Sequence, residues 1–352
     1  MKNILIFKIG AIWDVLMTTP LIRQLKEKLP NINIDYIVWN TASQVLKNNP
    51  YINELITFDD KIFVKKDLIK IIKLINKIRN LHKIKKYESI IILDKHWIFK
   101  FIWFLTWIKN RFGFNRLWKE WLFLTWSIYY DKSKREVEYY LEFLNFFGIT
   151  PNYKKQKYTF VISEETKKSK KVTQFLKQIK SNWKKNIAIA TWWGNPLMPK
   201  NDCRWRDIKN WEKLAIKLLN HGFNVILLWS KNDRKLNINH PNFFNWLWKF
   251  SIEETTYIIE NLDFVISQEA WFIHFVWCTD TPLLTIAGPT NPRRFHPFTD
   301  SWQPHPIWWI WKEKEECYDV YGSYDKCKGN EINKISVDEV FIKFIATFNQ
   351  KI

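Results

Sequence analysis

The chain has 352 residues, 47% of them hydrophobic, so it is long enough for two domains and too apolar for wholesale disorder. Its formal net charge of +20 favours anionic partners, but the lysines are spread over the chain and no nucleic-acid-binding module is recognisable. No uncharged apolar run reaches the roughly 18 residues of a transmembrane helix, and no signal-peptide pattern is present. We expect a cytoplasmic protein with four reduced cysteines and no metal site.

The first half alternates predicted strands and helices. Residues 3–9 are predicted as a buried strand, and a strand-to-helix turn that contains Asp14 follows at Gly10. A helical pattern then runs to about Leu29, with Pro20 near the first turn of the main helix. Further strands are predicted at 32–38, 55–58 and 89–93, and further helices at 67–81, 99–108 and 136–147.

The predicted helix at 67–81 is rich in lysine and amphipathic. Its apolar side is expected to contain Leu68, Ile71, Ile72, Ile75 and Ile78. Such a helix either covers a sheet, which is the commoner arrangement and the one we favour, or docks on an anionic membrane.

The second half repeats the alternation after a polar, lysine-rich stretch with one predicted helix at 164–180. Strands are predicted at 187–191, 224–228, 264–267 and 283–287, and helices at 211–219, 252–260 and 336–348. The sequence therefore predicts an α/β protein with two Rossmann-like domains, 1–165 and 166–330, facing one another across a cleft, and a closing helix within 331–352.

Polar side chains follow the predicted strands of both halves. Asp14 comes after the first strand, where ligands bind in open α/β sheets, although it could simply cap the following helix. In the second half, the residues that follow strands or lie in the loop between them are Thr191, Lys200, Arg204, Arg206, Asp233, Glu269, His274, Thr290 and Asn291. Cations and carboxylates in this pattern suit a nucleoside diphosphate, with phosphates on the cations and ribose hydroxyls on a carboxylate.

Glycine is unusually rare and tryptophan unusually common. The chain has 8 glycines and 22 tryptophans, whereas glycine ordinarily makes up about 7% of a protein. Tryptophans stand where turns favour glycine, as at Trp39, Trp183, Trp229 and Trp271. We infer that many of them occupy glycine positions; the alternative is a natural aromatic-rich surface.

Three segments resemble motifs of glycosyltransferase family 9, the lipopolysaccharide heptosyltransferases. Residues 10–16 with Thr19-Pro20 resemble the opening motif, which has glycine where Trp13 stands. Residues 203–206, with Trp211 and 214–215, resemble the basic–tryptophan segment. Residues 267–274, followed by 281–282 and 288–290, resemble the most specific signature: an acidic residue, a small residue, glycine, two residues and histidine.

The resemblance implies a GT-B fold, an ADP-heptose or similar donor, a lipopolysaccharide core acceptor, and no cofactor or required metal. Asp14 matches the family's general base. The donor-binding residues carried over are Thr191, Lys200, Arg204, Asp233, Glu269, Ala270 and His274. Glu269 stands where aspartate is usual, and Cys203 stands at the phosphate-binding lysine, which Arg204 or Lys200 would have to replace.

Two hypotheses about function remain. The first is an inverting glycosyltransferase of lipopolysaccharide biosynthesis, in contact with the inner membrane and without a nucleic-acid partner. This chain is expected to be impaired or inactive, because Trp13 and Trp271 fill space that glycine leaves open and further tryptophans strain turns. The second is a non-catalytic basic protein that binds anionic glycan or a membrane surface.

Overall fold

The computed structural model describes residues 2–65, 67–116, 120–131, 133–191, 206–228, 235–246, 249–288, 291–292, 307–311 and 331–349. The chain divides into two compact units, Met1–Val161 and Ile162–Ile352, here called the N-terminal and C-terminal units. The division falls after Val161, whereas the sequence analysis places the boundary after residue 165.

The N-terminal unit is built on a parallel sheet of six strands. They are β1 (Asn3–Phe7), β2 (Asn33–Trp39), β3 (Glu54–Phe58), β4 (Ser89–Ile92), β5 (Asn110–Asn115) and β6 (Trp126–Tyr129), in the order β3-β2-β1-β4-β5-β6. The central strands β1 and β4 are almost wholly buried, as their continuous apolar runs predict. Because all six strands are parallel, their carboxyl ends lie along one edge of the sheet. The loops after β1 and β4 are neighbours at that edge.

Helices cover the sheet of the N-terminal unit. They are α1 (Ile12–Leu16), α2 (Thr19–Lys28), α3 (Asn40–Ser43), α4 (Lys61–Val64), α5 (Leu68–Lys85), α6 (Trp97–Phe104) and α7 (Glu136–Leu141), with 3-10 turns at Glu120–Phe123 and Glu142–Phe147. Pro20 lies in the first turn of α2, as predicted. Residues of α5 and α6 share one apolar core with β1 to β4, so both helices cover the same face of the sheet.

The predicted apolar side of α5 is partly wrong. Ile75 and Ile78 are buried against the sheet, together with Leu74. Leu68 and Ile72, by contrast, are 70% and 57% exposed. Lysines separate two groups of isoleucine and leucine around the helix. The apolar part of the helix surface is therefore wider than the sheet can cover.

The C-terminal unit is a second parallel sheet of six strands. They are β7 (Asn186–Ala190), β8 (Asn224–Leu227), β9 (Phe243–Asn245), β10 (Phe264–Gln268), β11 (Leu283–Ile286) and β12 (Ile307–Ile310), in the order β12-β11-β10-β7-β8-β9. Its helices are α8 (Glu164–Lys167), α9 (Lys170–Lys180), α10 (Ile208–Asn220), α11 (Ile252–Glu260), α12 (Ile273–Val276) and α13 (Val337–Asn349), with a 3-10 turn at Glu331–Lys334. The buried Trp211 of α10 and Phe344 of α13 belong to one core with the central strands.

The differences from the predicted elements have local causes. The predicted helix at 164–180 is two helices, α8 and α9, separated by Lys168 and Ser169. Strands β5, β6, β9 and β12 were not predicted, because they are short or lack a clear alternation of apolar and polar residues.

Within the described ranges, two tryptophans adopt the backbone conformation that favours glycine. Trp107 has a φ of 65° and Trp183 a φ of 58°, and both side chains are exposed. Trp39, by contrast, precedes α3 with an ordinary φ of −62°. Trp229 lies outside the described residues. Among those residues, no helix is long and apolar enough to cross a bilayer.

Candidate functional site

The loop after β1 brings charged groups to the carboxyl edge of the N-terminal sheet. Lys8 and Ile9 follow the strand directly, and α1 begins two residues after Gly10. A Cβ atom on Gly10 would lie 2.7 Å from Cε3 of Trp39, so this close approach of chain to side chain requires glycine.

Asp14 lies inside α1 rather than in the predicted turn before it. Its Oδ2 accepts a hydrogen bond from the Ala11 backbone N–H at 3.1 Å, so it does cap the helix. Its side chain nevertheless remains 33% exposed. The two alternatives for Asp14 are therefore compatible: one oxygen holds the start of the helix, and part of the carboxylate stays accessible to a substrate.

A buried lysine connects Asp14 to a second carboxylate. Lys8 Nζ lies 3.5 Å from Asp14 Oδ2, 2.9 Å from Asp94 Oδ1 and 2.7 Å from the Gly10 carbonyl oxygen. Asp94 follows β4, and its Oδ2 accepts a hydrogen bond from the Ile9 backbone N–H at 2.7 Å. Because β1 and β4 are adjacent, these bonds fix the loop from which α1 begins.

A second ion pair lies at the same edge. Lys95 Nζ is 2.8 Å from both carboxylate oxygens of Glu136, and it lies 3.9 Å from the centre of the Tyr130 ring. The Tyr130 hydroxyl also donates to Glu136. Glu136 is 5% exposed, so this pair is largely removed from water.

These charges alter the proton affinity of Asp14. Burial raises the pKa of the Asp14 carboxyl above its ordinary value, and the positive charges of Lys8 and Lys95 oppose that rise without cancelling it. For Lys8, burial alone would lower the pKa, but Asp94 and Asp14 outweigh it and raise the pKa. The pKa of Lys95 is lowered, chiefly by burial, although Glu136 opposes this. Asp14 is therefore a stronger base than an exposed aspartate.

The described part of the carboxyl edge of the C-terminal sheet includes buried neutral groups. Thr191 follows β7 and is 4% exposed, and its Oγ1 has no hydrogen-bond partner among the described residues. Gln268 ends the adjacent strand β10 and is fully buried. An orphaned buried hydroxyl at a strand end is ready to bond a ligand, since leaving it unbonded costs free energy.

The segment after β10 contains three of the predicted donor-binding residues. Glu269 is partly buried, and its backbone N–H bonds the Ile286 carbonyl at 2.9 Å. The Ala270 carbonyl accepts from Ile273 N–H at 3.1 Å and starts the turn into α12. His274 lies on α12, buried, with its ring 4.7 Å from the Trp277 ring. Thr191, Glu269, Ala270 and His274 thus belong to neighbouring strand ends of one sheet.

The two predicted blocked positions are both partly buried. Trp13 lies in α1 beside Asp14, and Trp271 lies between Ala270 and α12, with its ring 5.9 Å from that of Phe275. Neither adopts a positive φ, so the indole affects these positions by its volume rather than by backbone strain.

Arg206 connects this edge of the sheet to residues 332–335 by hydrogen bonds. Its Nη1 donates to the carbonyls of Ile332 and Ile335 at 3.0 and 2.8 Å, and its backbone N–H donates to Gln268 Oε1 at 3.3 Å. Burial lowers its pKa to about 10. Lys200, Arg204, Asp233 and Thr290 lie outside the described residues. Within the described ranges, no three His, Cys, Asp or Glu side chains are grouped to hold a metal ion.

Sequence reasoning missed Lys8 and Asp94 as parts of the site. Asp94 directly follows the predicted strand at 89–93, and Lys8 is a charged residue near the end of the predicted strand at 3–9; both are signals that could have found them. The pairing of β1 with β4, which brings them together, is a property of the strand order and cannot be read from either segment alone.

Comparisons with known proteins agree with this architecture. A sequence model of glycosyltransferase family 9 (heptosyltransferase) matches residues 72–316, more than half of the chain. The chain is 23% identical over 311 residues to the lipopolysaccharide core heptosyltransferase OpsX of Haemophilus influenzae, a match covering 85% of this chain and 82% of that protein.

Solved structures share the fold over the whole chain. A family 9 glycosyltransferase from Veillonella parvula has a TM-score of 0.79 and 16% identity, covering 99% of this chain and 98% of that one. The ADP-heptose LPS heptosyltransferase II of E. coli has a TM-score of 0.72 and 18% identity, covering 100% and 99%. The predicted GT-B fold class with two Rossmann-like domains is confirmed, and the chain belongs to glycosyltransferase family 9, the heptosyltransferase family.

Proposed function

We propose that this chain is built to transfer a heptose, or a similar sugar, from an ADP-sugar to a hydroxyl of a lipopolysaccharide core acceptor. Family membership supports the reaction class, and the names of the relatives supply the sugar and the acceptor. The observation that carries the assignment is Asp14, a partly accessible carboxylate held by the Ala11 N–H and Lys8, with a raised pKa.

In the proposed reaction, Asp14 takes the proton of the acceptor hydroxyl. The hydroxyl oxygen forms a bond to the anomeric carbon of the donor sugar, and the bond from that carbon to the β-phosphate oxygen of ADP breaks. A single displacement of this kind inverts the anomeric centre. General base catalysis contributes roughly 100-fold to 10,000-fold, so Asp14 is a large but partial contributor to rate.

Lys8 serves in this proposal as a positioning residue. Its ammonium holds Asp14 and Asp94 together, and the Asp94 bond to Ile9 N–H fixes the loop that carries Asp14. Its positive charge also opposes the rise in the Asp14 pKa, which leaves the carboxylate ionised over a wider range of pH.

Donor binding is assigned to the C-terminal unit. Thr191 offers a buried hydroxyl without a partner among the described residues, and Glu269, Ala270 and His274 follow the neighbouring strand. Lys200, Arg204 and Asp233 complete the proposed donor site for the phosphates and the nucleoside. ADP is the leaving group, and its developing charge would be stabilised by the cations and by backbone N–H groups.

The proposal includes a restriction by tryptophan. An indole at Trp13 or Trp271 occupies volume beside the proposed acceptor and donor groups. Overpacking of this kind typically costs about 1–3 kcal/mol. Backbone strain is of similar size in the described residues, where two tryptophans have positive φ, each costing about 1–3 kcal/mol against a domain stability of about 5–15 kcal/mol. We assign the impairment mainly to the site because those two tryptophans are exposed, whereas Trp13 and Trp271 adjoin proposed site residues.

ADP release from ADP-heptose in the presence of core acceptor tests this function. The variant Trp13→Gly/Trp271→Gly should release ADP faster than the parent chain by about fivefold to 150-fold, the rate equivalent of relieving 1–3 kcal/mol. Circular dichroism and calorimetric ADP affinity on the same proteins separate folding from binding. If the folded variant neither binds ADP nor releases it from the donor, the assignment fails.

The second candidate is a basic protein that binds anionic glycan or a membrane surface without turnover. The net charge of +20 is the observation that favours it. In that case the two-glycine variant would bind core oligosaccharide or anionic lipid and release no ADP.

A further inference from the structure

Large exposed hydrophobic side chains are concentrated in one part of the N-terminal unit. Most of the exposed large hydrophobic residues in the described ranges lie between positions 68 and 129: Leu68, Ile69, Ile72, Ile84, Trp97, Phe101, Phe104, Trp107, Leu122, Trp126 and Tyr129. The remaining ones are Val161, Trp183, Ile216 and Ile342. Single exposed apolar residues are normal, whereas exposed apolar side chains that adjoin one another on the surface mark an interaction site.

Helix α5 contributes the aliphatic part of this surface. Leu68 is 70% exposed, Ile69 68%, Ile72 57% and Ile84 78%. With a rotation of about 100° per residue, Leu68, Ile69 and Ile72 occupy one sector of about 100°, opposite the buried Leu74 and Ile78. These three side chains therefore face solvent together, and none of them is a tryptophan.

The same face of α5 is basic. The helix, LIKIIKLINKIRNLHKIK, contains lysines and an arginine but no acidic residue. Lys73, Lys77 and Lys83 are exposed and form no ion pair with residues in the described ranges. Lysines between exposed isoleucines keep their ammonium groups in water while their methylene chains extend the apolar surface.

Helix α6 continues the surface beside α5. Both helices cover the same face of the sheet, and Arg79 Nε of α5 donates to the Leu105 carbonyl after α6 at 2.8 Å. Phe101 and Phe104 of α6 are 37% and 43% exposed, with their rings 5.3 and 5.8 Å from that of Phe123. The surface formed by α5 and α6 is called the basic apolar face below.

We propose that the basic apolar face docks on the surface of an anionic phospholipid bilayer. A bilayer interface accepts leucine, isoleucine and phenylalanine into the acyl boundary and lysine at the anionic headgroups. A protein partner fits less well because lysine is depleted in protein interfaces, and a nucleic acid offers no apolar layer for the isoleucines.

The position of this face suits a lipid-anchored substrate. Lys70 Nζ of α5 lies 3.7 Å from Asp59 Oδ2, and Asp59 directly follows β3. The first turn of α5, with Leu68 and Ile69, is therefore at the carboxyl edge of the sheet, the edge that carries Asp14. Docking would bring this edge to the bilayer. The inference specifies the membrane contact of the proposed function, but bilayer binding itself does not depend on transfer activity.

Vesicle sedimentation of the full chain tests the docking. The parent should bind vesicles of phosphatidylglycerol and phosphatidylcholine, and bind vesicles of phosphatidylcholine alone at least about tenfold more weakly, since each lysine near an anionic surface contributes roughly fivefold. The variant Ile69→Glu/Ile72→Glu should lower the partition coefficient on anionic vesicles by at least about tenfold, because it removes apolar contact and adds repulsion.

A matched control makes the same chemical change elsewhere. Ile216 and Ile342 of the C-terminal unit are 47% and 67% exposed, and Ile216→Glu/Ile342→Glu alters net charge by the same amount. It should lower the partition coefficient by less than about threefold, a general effect of net charge. Lys73→Gln/Lys77→Gln should weaken the dependence of binding on salt.

Three results would overturn the docking surface: no preference of the parent for anionic vesicles, unchanged binding of the α5 variant, or an equal loss in the control. Because no sugar donor is present, these outcomes are separate from failure of the transfer reaction. A circular dichroism melt of each variant confirms that its fold is retained.

Discussion

The carboxyl edges of the two sheets differ in chemistry although the sheets share one strand order. The N-terminal edge is ionic: Lys8 lies between Asp14 and Asp94, and Lys95 pairs with Glu136. The described part of the C-terminal edge has the buried neutral groups Thr191 and Gln268 beside the charged residues Arg206 and Glu269. The carboxylates of the N-terminal edge can take up a proton, whereas neutral groups supply hydrogen bonds at little electrostatic cost.

This difference suits the two proposed roles, proton uptake in the N-terminal unit and donor binding in the C-terminal unit. The groups that act on a proton need a shifted pKa, which burial and neighbouring charges produce at Asp14. The groups proposed to hold a nucleotide need directional hydrogen bonds, which the Thr191 hydroxyl can provide because it has no partner among the described residues. Similar folds thus carry different functions because different residues follow equivalent strands.

The largest expected effect comes from removing Lys8. Its folded-state pKa is raised, so its stabilisation is present below the unfolded value and is lost only as pH rises through the folded value. Lys8→Met should destabilise the N-terminal unit by about 3–5 kcal/mol at neutral pH, because Asp94 is left buried without its counter-charge. Urea unfolding measures this.

The matched control for Lys8 is an exposed ion pair of the other unit. Lys185 Nζ lies 3.0 Å from Asp263 Oδ1, with the two side chains 56% and 28% exposed. Lys185→Met should cost less than about 1 kcal/mol. Equal losses in both variants would contradict the special role of the buried pair.

The pH profile of kcat/KM sharpens the comparison further. Since the pKa of Asp14 is raised, the acid limb should lie above the ordinary value of about 3.9. Activity should be lost as pH falls through the raised value. Lys95→Gln should move the limb to still higher pH, because the charge of Lys95 lowers the Asp14 pKa. A limb that moves to lower pH would contradict this electrostatic account.

The Asp14 pKa also has a consequence for stability. A carboxyl with a raised folded-state pKa stabilises the fold below its unfolded value, and that contribution is lost as pH rises through the folded value. At neutral pH, Asp14→Asn should therefore not lower Tm, although it removes the proposed base. Thermal unfolding at pH 7 checks this.

Thr191 tests the neutral edge. Thr191→Val should weaken ADP binding by about threefold to tenfold, since one hydrogen bond to the ligand is lost, while leaving Tm unchanged or higher. Thr285 is the control, because its buried Oγ1 also lacks a partner among the described residues but lies within strand β11. Thr285→Val should leave ADP affinity unchanged; an equal loss in both would remove Thr191 from the donor site.

The smallest effect concerns the tryptophans at positive φ. Trp183 is 95% exposed with a φ of 58°, so Trp183→Gly should raise the stability of the C-terminal unit by about 1–2 kcal/mol. Trp126 is 63% exposed but lies in strand β6, where Trp126→Gly should lower stability by about 0.5–1 kcal/mol. Differential scanning calorimetry measures both, and destabilisation by Trp183→Gly would contradict a glycine position there.

Much of the fold could be predicted from the sequence, because buried parallel strands leave continuous apolar runs. Segments such as 3–9 and 264–267 are of this kind, and strands form there. Strand β5 could not be found this way, since it begins and ends with asparagine and contains Gly113. The exposed apolar residues of α5 could not be predicted for another reason. The helical period identifies an apolar face of a helix, but not which of its apolar residues a neighbouring element covers.

Only part of the candidate site could be proposed from the sequence. Asp14, Thr191 and His274 are candidates because of their positions after predicted strands, and Asp14 and His274 also by resemblance. The pairing of Lys8 with Asp94 depends on two segments more than eighty residues apart in sequence becoming neighbours, which only the strand order determines. The electrostatic state of Asp14 depends on that pairing and on Lys95, so it could not be predicted before the fold was known.

The most direct measurement is the rate of ADP release from ADP-heptose with core acceptor, comparing Trp13→Gly/Trp271→Gly with the same variant carrying Asp14→Asn. The account predicts turnover in the first and a fall in kcat of about 100-fold to 10,000-fold in the second, with unchanged ADP affinity. Rates within threefold of each other would contradict the assignment of Asp14 as the base.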